Sequence, residues 1–313
     1  MPEAPRSVPP LERLLHLKRV PLLSGLPASE VAVLADAAAE RFFPKQTILF
    51  REGDEAVSMH FVAEGALGNF RRGIRVGVVG PGAGIGGLAV LARGAMGSEV
   101  VAEQDTLTLE IDADAVTEVL EDRLPILQYL LREVNRQALQ LLRRHRLDPG
   151  SFFPEPPRDL GGDGGLDLVD RLFLLRRMPV FDRTSVTALA ELARTMANVR
   201  FEPGTLLWHE GEPSQGILML SSGSVQATGS GGVSFRAGPG FPLGALEAVA
   251  QVPRWYEARV LTPMVGLQTQ TDVLVDLFED SFDMAMDYLA LVAGATLRIL
   301  DWSAMQAAQP RDG

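Results

Sequence analysis

The segment ILFREGDEA, residues 48–56, has a counterpart in LLWHEGEPS, residues 206–214. Each joins an apolar, strand-like run to a Glu-Gly turn, and the two begin 158 residues apart, the difference between positions 206 and 48. The same offset aligns RLLHLKRVPLLSGL, residues 13–26, with RLFLLRRMPVFDRT, residues 171–184, without a gap. An offset that stays constant over this length predicts a duplicated structural unit.

The alignment continues to the end of each copy. It pairs turn glycines, acidic residues and the ends of helical segments: Gly65 with Gly223, Gly86 with Gly244, Glu99 with Glu257, and Glu121 with Glu279.

Between the copies lies DPGSFFPEPPRDLGGDGGLD, residues 148–167, whose prolines and glycines cannot continue a helix or join a sheet. We therefore predict domains at residues 10–147 and 168–308, separated by a linker with a stiff Pro-rich half and a flexible GGDGG half. Phe152 and Phe153 are exceptions in this polar segment, and we expect them to dock on a neighbouring surface.

Within each copy, two short helical segments precede a series of short strand-like segments, and helical periodicity returns at the end. The strand-like segments are rich in Val and Ile and are separated by Gly, Pro and Asp turns. This order predicts a mainly β, α+β fold, in which each domain is an antiparallel β-barrel or jelly roll with N-terminal and C-terminal helices.

The helical segment at the end of the first copy carries an apolar stripe on one face. Such a stripe packs against its own chain or pairs with a second copy, and both alternatives stay open. A homodimer through the C-terminal helices is therefore one candidate assembly. The stripe consists of Leu127, Leu131, Val134, Ala138, Leu141 and Leu142.

Composition excludes several classes of function. The 313 residues include 40 acidic and 29 basic side chains, a net charge of −11, which disfavours nucleic-acid binding. There is no cysteine and the four histidines are far apart in sequence, so we expect no metal site. No apolar run is long enough to cross a bilayer, and we expect a cytoplasmic protein with no membrane partner.

Neither an enzyme nor a transcription factor is expected. We find no nucleophile elbow or catalytic acid pair, and we assign no catalytic residue. After Trp302 only SAMQAAQPRDG follows, which is too short for a helix-turn-helix.

The repeated segments together make the chain similar to the cyclic-nucleotide-binding family, the sensor module of the catabolite activator protein and of protein kinase A regulatory subunits. The resemblance covers nearly all of both copies and includes IGGLAVL, residues 85–91, and LGALEAV, residues 243–249. It implies a phosphate-binding cassette of the form F-G-E-L-A, followed by P-R-x-A-T. Backbone N–H groups and the arginine of this cassette neutralise the cyclic phosphate, and the glutamate binds the ribose hydroxyl.

In the first copy, the resemblance implies that two of these anchors are missing. Gly87 occupies the glutamate position and Met96 the arginine position, while Glu99 stands where a small hydroxyl residue helps to hold the phosphate. The candidate ligand-binding residues of this copy are Gly86, Gly87, Leu88, Ala89, Met96, Ser98 and Glu99.

The second copy keeps more of the cassette. Ala245 occupies the glutamate position, but Pro253-Arg254 retains the Pro-Arg pair, with Arg259 close in sequence. The candidate residues of this copy are Gly244, Ala245, Leu246, Arg254 and Glu257.

The missing anchors have a large energetic effect. Each charge-assisted hydrogen bond contributes roughly 1.5–3 kcal/mol, so losing two weakens binding by about a hundred- to ten-thousand-fold. We therefore predict a non-enzymatic regulatory or scaffold protein that acts through protein-protein contacts and requires no cofactor. The alternative is a sensor that binds cyclic AMP, cyclic GMP or another small anion in the second domain through Arg254.

Overall fold

The computed structural model describes residues 8–154, 166–181 and 183–308. The GGDGG part of the predicted linker, residues 161–165, lies outside the described residues.

The contacts of the chain divide into two compact units, and each is described by itself. The first unit comprises residues 1–130 and 300–313, and the second comprises residues 131–299. The domain limits derived from the repeat, 10–147 and 168–308, stay a prediction.

The first unit is an α+β structure in which, within the described residues, eight strands form two antiparallel four-stranded sheets, which confirms the predicted fold class. The sheet orders are β1-β8-β3-β6 and β2-β7-β4-β5. The helices are α1 (Pro10–Lys18), α2 (Ala28–Ala37), α3 (Gly87–Leu91), α4 (Ala113–Asp122) and the start of α5 (Leu124–His145). The strands are β1 (Ala39–Phe43), β2 (Ile48–Phe50), β3 (Ser58–Glu64), β4 (Leu67–Arg71), β5 (Ile74–Val79), β6 (Gly84–Ile85), β7 (Glu99–Ala102) and β8 (Thr106–Asp112).

The second unit repeats this order of elements, with fewer and longer strands. The six strands among its described residues are all antiparallel, and β14 pairs with β9, β10 and β11. The strands are β9 (Ala197–Phe201), β10 (Leu206–Trp208), β11 (Gly216–Thr228), β12 (Ser234–Ala237), β13 (Pro242–Leu243) and β14 (Glu257–Gln270). The helices are α6 (Leu168–Arg176), α7 (Val186–Thr195), α8 (Ala245–Ala250), α9 (Thr271–Asp280) and most of α10 (Phe282–Ala308).

A matched arginine anchors the first helix of each unit. The Arg13 guanidinium donates hydrogen bonds to the carbonyls of Val8 and Ala38, both at 3.0 Å. Arg171 makes the two corresponding bonds, at 3.1 and 2.6 Å, to the carbonyls 158 residues further along the chain. Charge-assisted bonds of this kind are strong, so the identical residue in both copies has the same structural role.

Two matched glycines allow the sheets to bend. Gly65 and Gly223 have φ values of 91° and 83°, a left-handed conformation that other residues adopt only with strain. A Cβ on Gly65 would lie 2.5 Å from the Asp105 carbonyl oxygen, and one on Gly223 would collide with the corresponding carbonyl of Pro263. In the first unit the strand breaks at this glycine, between β3 and β4, whereas β11 continues through it with bulges.

Five of the six residues of the apolar stripe of α5 are buried within a single chain, as the intrachain alternative expects, and the sixth, Leu141, is half-buried. Leu127, Leu131, Val134, Ala138 and Leu142 are all buried. Assembly into a homodimer through this face stays a prediction. None of the helices in the described part of the chain combines the length and the hydropathy that a bilayer-crossing helix requires.

The prediction that linker aromatics dock is confirmed for Phe152. Its side chain is buried, and the Arg298 guanidinium donates a 2.7 Å hydrogen bond to its carbonyl. A 3-10 turn at Pro149–Ser151, capped by the side chain of Asp148, positions this residue.

The core of the first unit contains a histidine that the second copy lacks. His60, on β3, is buried between the rings of Phe43 and Phe50, and its ring nitrogens lie 2.9 Å from Thr108 Oγ1 and 3.2 Å from Ser58 Oγ. Burial lowers the pKa of His60 to about 4, although the nearby Glu110 carboxylate opposes this shift. His60 is therefore neutral in the folded protein. Its counterpart in the repeat is an apolar residue.

We predict that His60 makes the protein sensitive to mild acid. Between pH 7 and pH 5 the unfolded histidine takes up a proton that the folded one does not, so the free energy of unfolding falls by about 2 kcal/mol from this residue. In the His60→Leu variant, denaturant titrations at the two pH values should lack this component. An exposed control, His209→Gln, should keep it, and an unchanged pH response in His60→Leu would contradict the prediction.

Candidate functional site

The first cassette has the predicted backbone but an apolar surrounding. Gly86 caps α3 in a left-handed conformation with φ of 85°, and a Cβ there would lie 2.8 Å from the Ser58 carbonyl oxygen. Gly87 begins the helix, and the nearest atom to a Cβ at this position is Met59 Sδ, at 4.0 Å. The backbone geometry thus explains Gly86, whereas Gly87 leaves space where the family has a glutamate.

Met96 takes the place of the arginine in this cassette, and the guanidinium of Arg71 lies beside the next residue, Gly97, where it pairs with Asp301. Met96 and Ala89 are both buried, as is Ser98, while Leu88 and Glu99 are half-buried. At the arginine position itself this group of candidate residues supplies an apolar side chain, that of Met96.

The second cassette begins in the same way. Gly244 caps α8 with φ of 83°, and a Cβ at this position would collide with Arg254 Nη1. Ala245 is buried in the first turn, and Leu246 is half-buried. The structure therefore brings Arg254 to the start of the cassette helix, where the sequence predicts it.

Arg254 is bound by the protein itself. Its guanidinium is buried and donates from Nη2 to the Gly216 carbonyl at 2.5 Å and from Nη1 to the Gly244 carbonyl at 3.3 Å. Nη1 also lies 3.4 Å from Glu247 Oε1, and Cζ lies 4.1 Å from the centre of the Trp208 ring. Two carbonyls, a carboxylate and an aromatic face thus surround this cation.

A tyrosine hydroxyl accepts a hydrogen bond from the backbone N–H at the start of the same helix. The Gly244 N–H donates to the buried Tyr256 hydroxyl at 3.1 Å, and that hydroxyl in turn hydrogen-bonds the Glu247 side chain. The ring of Tyr256 also contacts the rings of Trp208 and Phe235. Arg254 and the Gly244 N–H therefore already have partners within the protein.

Burial dominates the ionisation of both acidic groups in this cluster. Desolvation raises the pKa of Glu247, although Arg254 attracts its charged form and Tyr256 donates to it. Desolvation likewise raises the pKa of Tyr256 well above its usual value, and the nearby Glu247 adds to this effect. Tyr256 is consequently a neutral hydroxyl at any physiological pH.

Glu257, by contrast, lies outside this cluster. It is partly exposed and pairs with Arg259 at 3.0 Å and with His209 at 3.3 Å. The hydrogen bond from Arg259 lowers the pKa of Glu257. Glu257 and Arg259 thus form an ion pair at the protein surface.

Sequence reasoning did not identify three members of the Arg254 cluster, namely Glu247, Tyr256 and Trp208. One signal for Glu247 was present, because it stands at the alanine position of the F-G-E-L-A pattern within an apolar helix. The hydroxyl of Tyr256 and the ring of Trp208 reach the site only through the fold.

At this site, four residues of the second copy all differ from their counterparts in the first. In the first copy the counterparts of Arg254, Glu247, Tyr256 and Trp208 are Met96, Ala89, Ser98 and Phe50. An ion pair and an apolar pair are both acceptable in an interior, whereas either charge alone is not. Each copy thus has an internally consistent filling of the same cavity.

Metal chemistry has no candidate here. In residues 8–154, 166–181 and 183–308, no group of three or more His, Asp and Glu side chains is placed to hold a metal ion.

Comparison with known families gives a match in each half of the chain. A family model described as the cyclic nucleotide-binding domain matches residues 40–123 and 198–281. The two matches include both cassettes and most of the strands of each copy.

Solved structures of low sequence identity are also similar. The regulatory domain of Toxoplasma gondii PKA with cAMP is 18% identical with a TM-score of 0.34, covering 89% of this chain and 94% of that one. A regulatory subunit of a cAMP-independent protein kinase A from Trypanosoma brucei is 15% identical with a TM-score of 0.33, covering 99% and 92%. The N-terminal domain of a Streptomyces coelicolor A3(2) transcriptional regulator is 27% identical with a TM-score of 0.38, covering 40% and 92%. These TM-scores are low, so the assignment rests on the family match.

We predict strong coupling between Arg254 and Glu247. Glu247→Ala alone should destabilise the protein by about 3–5 kcal/mol, because it leaves a buried charge without its counter-charge. Adding Arg254→Met, which reproduces the residues of the first copy, should recover most of that loss. A double-mutant cycle from denaturant titrations measures the coupling.

The exposed pair Glu257 and Arg259 provides the matched control. The same substitutions there, Glu257→Ala and Arg259→Met, should be nearly additive, because solvent screens an exposed pair. Additive effects at Arg254 and Glu247 as well would contradict the prediction.

Proposed function

Because this chain belongs to the cyclic nucleotide-binding domain family, with one domain in each half, we propose that it is a non-enzymatic regulatory or scaffold protein. In this proposal neither domain takes a cyclic nucleotide, and the protein acts through contacts with another protein from a cytoplasmic location.

The observation that carries this proposal is the engagement of Arg254 by the protein itself. To bind a phosphate, Arg254 would have to exchange Glu247 for the ligand and leave a buried carboxylate without its cation. Uncompensated buried charges cost about 3–5 kcal/mol, and each 1.4 kcal/mol is a factor of ten in affinity. The internal contacts would thus weaken ligand binding by two orders of magnitude or more.

The first domain supports the same proposal for a different reason. Met96 is apolar and buried at the arginine position, and Gly87 has no side chain with which to bind a ribose hydroxyl. A phosphate entering this cassette would find no cation at the Met96 position, and Arg71, which lies beside Gly97, is already paired with Asp301.

The second candidate function is a sensor of cyclic AMP, cyclic GMP or another small anion in the second domain. The retention of Pro253-Arg254 next to a glycine-capped cassette helix favours it. This function requires a second conformation in which Arg254 leaves Glu247, and a ligand populates that conformation only by binding it more tightly.

Exposed apolar side chains on the first helix of each copy support contacts with a protein. Leu11 and Leu15 on α1 are 68% and 49% exposed, and their counterparts Val169 and Phe173 on α6 are 56% and 68% exposed. Single exposed apolar residues are ordinary on protein surfaces. Their recurrence at the same two positions, one turn apart, in both copies favours a retained contact surface.

We expect no response of the protein to cyclic AMP or cyclic GMP at millimolar concentration. Calorimetry should show no binding heat and thermal unfolding no shift, whereas a ligand at a hundred times its Kd would stabilise a domain by about 2.7 kcal/mol. The Glu247→Gln substitution keeps the size of the side chain and removes its charge, so Arg254 loses its counter-charge. We therefore expect this variant to bind phosphate-containing ligands weakly. A response of the unmodified protein that Arg254→Met abolishes would establish the sensor instead.

The proposed contact surface is tested by paired substitutions. Leu15→Glu combined with Phe173→Glu should abolish co-purification of a bound protein, because burying a carboxylate in an apolar interface has a large desolvation free energy. The control, Val57→Glu combined with Leu261→Glu, changes exposed apolar residues elsewhere on each copy and should leave co-purification unchanged. Equal loss in both double variants would contradict the assignment of this surface.

A further inference from the structure

One face of α5 borders a groove in the second unit. The volume of this groove is about 350 Å³, and its walls come from α5 and from the segment that follows α8. Gln140 and Arg143 are exposed, so the groove is open to solvent. The lining residues are Arg136, Leu139, Gln140, Arg143, Val252 and Trp255.

The charged side chains that line the groove are both cations. They are Arg136 and Arg143, and none of the six lining residues is acidic. From residue 134 to residue 147 the sequence has four arginines and no acidic residue. In a chain with a net charge of −11, this segment is a local basic surface.

The protein itself uses only part of the hydrogen-bonding capacity of these two arginines. Arg136 Nε donates to the Ala250 carbonyl at 3.1 Å, and Arg136 Nη1 lies 3.6 Å from Glu133 Oε2. The side chain of Arg143 has no hydrogen bond or ion pair with any residue in the described part of the chain. Because a guanidinium carries five N–H donors, both arginines keep donors for a ligand.

Helix stability alone does not explain this pair of arginines. A cation in the last turn of a helix is stabilised by the helix dipole, which accounts for Arg143. Arg136 lies nine residues before the end of α5 at His145, where the dipole has little effect. The hydrogen bond from Arg136 to Ala250 instead joins the two walls of the groove.

We propose that this groove binds an acidic, extended segment of a partner protein, with two carboxylates three residues apart and an apolar residue between them. Arg136 and Arg143 are seven residues apart on α5, which is about 10 Å along the helix axis. In a polyproline II segment, residues three apart lie on the same face at a spacing of about 9 Å. Two such carboxylates therefore match the two guanidinium groups, and the apolar residue lies against Val252.

A protein segment fits this groove better than a nucleic acid does. Three of the six lining residues are apolar or aromatic, namely Leu139, Val252 and Trp255. The net charge of −11 repels a continuous phosphate backbone, whereas a short peptide brings only the two charges that the arginines meet. The proposal rests on the proposed function in one respect, that the protein acts by contacting another protein.

The probe that tests the proposal is the peptide acetyl-Glu-Pro-Leu-Glu-amide. Its control is acetyl-Gln-Pro-Leu-Gln-amide, which has nearly the same shape and no charge. Dissociation constants are measured on the full chain by ligand-observed NMR at low ionic strength, where exposed ion pairs are least screened. We expect the acidic peptide to bind about tenfold more tightly, the combined effect of two exposed ion pairs. Equal affinities, or no binding of the acidic peptide at millimolar concentration, would overturn the proposal.

Two variants with the same change of charge identify the groove. Arg143→Gln should reduce the preference for the acidic peptide to about threefold, because one of the two ion pairs is lost. Arg144→Gln is the matched control, since Arg144 is exposed in the same helical turn and does not line the groove, and the preference should survive. A preference that Arg143→Gln leaves unchanged, or that both variants reduce equally, would overturn the proposal.

Two further results separate this proposal from other outcomes. Displacement of the acidic peptide by a short oligothymidylate at a lower concentration than the peptide would overturn the assignment of a protein segment. If the unmodified protein co-purifies with a bound protein but does not distinguish the two peptides, the groove proposal is wrong and the proposed function stands.

Discussion

Arg254 is a cation that solvent does not reach, and the local structure of the second unit depends on compensating it. A buried charge is tolerated only with close partners. The partners here are the carbonyls of Gly216 and Gly244, the carboxylate of Glu247 and the face of Trp208. These contacts fix the start of the cassette helix to a neighbouring strand. An anionic ligand would have to displace these partners to reach the Arg254 guanidinium.

A sensor and a scaffold differ in whether the polar groups of such a site should have partners when no ligand is bound. A sensor needs two conformations that a ligand can distinguish, so its binding groups must be incompletely satisfied when the ligand is absent. In the second copy Tyr256 and Glu247 contact the Gly244 N–H and Arg254, and in the first copy the buried apolar side chain of Met96 stands at the arginine position. The two copies thus fill corresponding positions with different chemistry. Both routes preserve the fold, since the cavity stays filled.

The fold was predictable because its determinants act locally and recur at the same offset. Gly65 and Gly223 are readable as turn residues, since their left-handed backbone excludes a side chain whatever the surroundings. The site was predictable only in part. Sequence comparison places Arg254 at the cassette, but it cannot show that a carboxylate seven residues earlier faces the guanidinium. The contact between Tyr256 and the Gly244 amide likewise forms only when a strand and a helix meet, and no local pattern encodes it.

The anchoring of α1 and α6 has a consequence for how the outer surface can change during evolution. Arg13 and Arg171 bind main-chain carbonyls, and every residue type supplies that acceptor. Substitutions at the residues that carry these carbonyls therefore keep the acceptors, although Arg13 also pairs with the side chain of Glu40. The outward faces can then diverge independently in the two copies, as Leu15 and Phe173 have done, while each helix keeps its position on its own unit. A duplicated chain of this kind can acquire new binding specificity on its outer faces while both copies keep their fold.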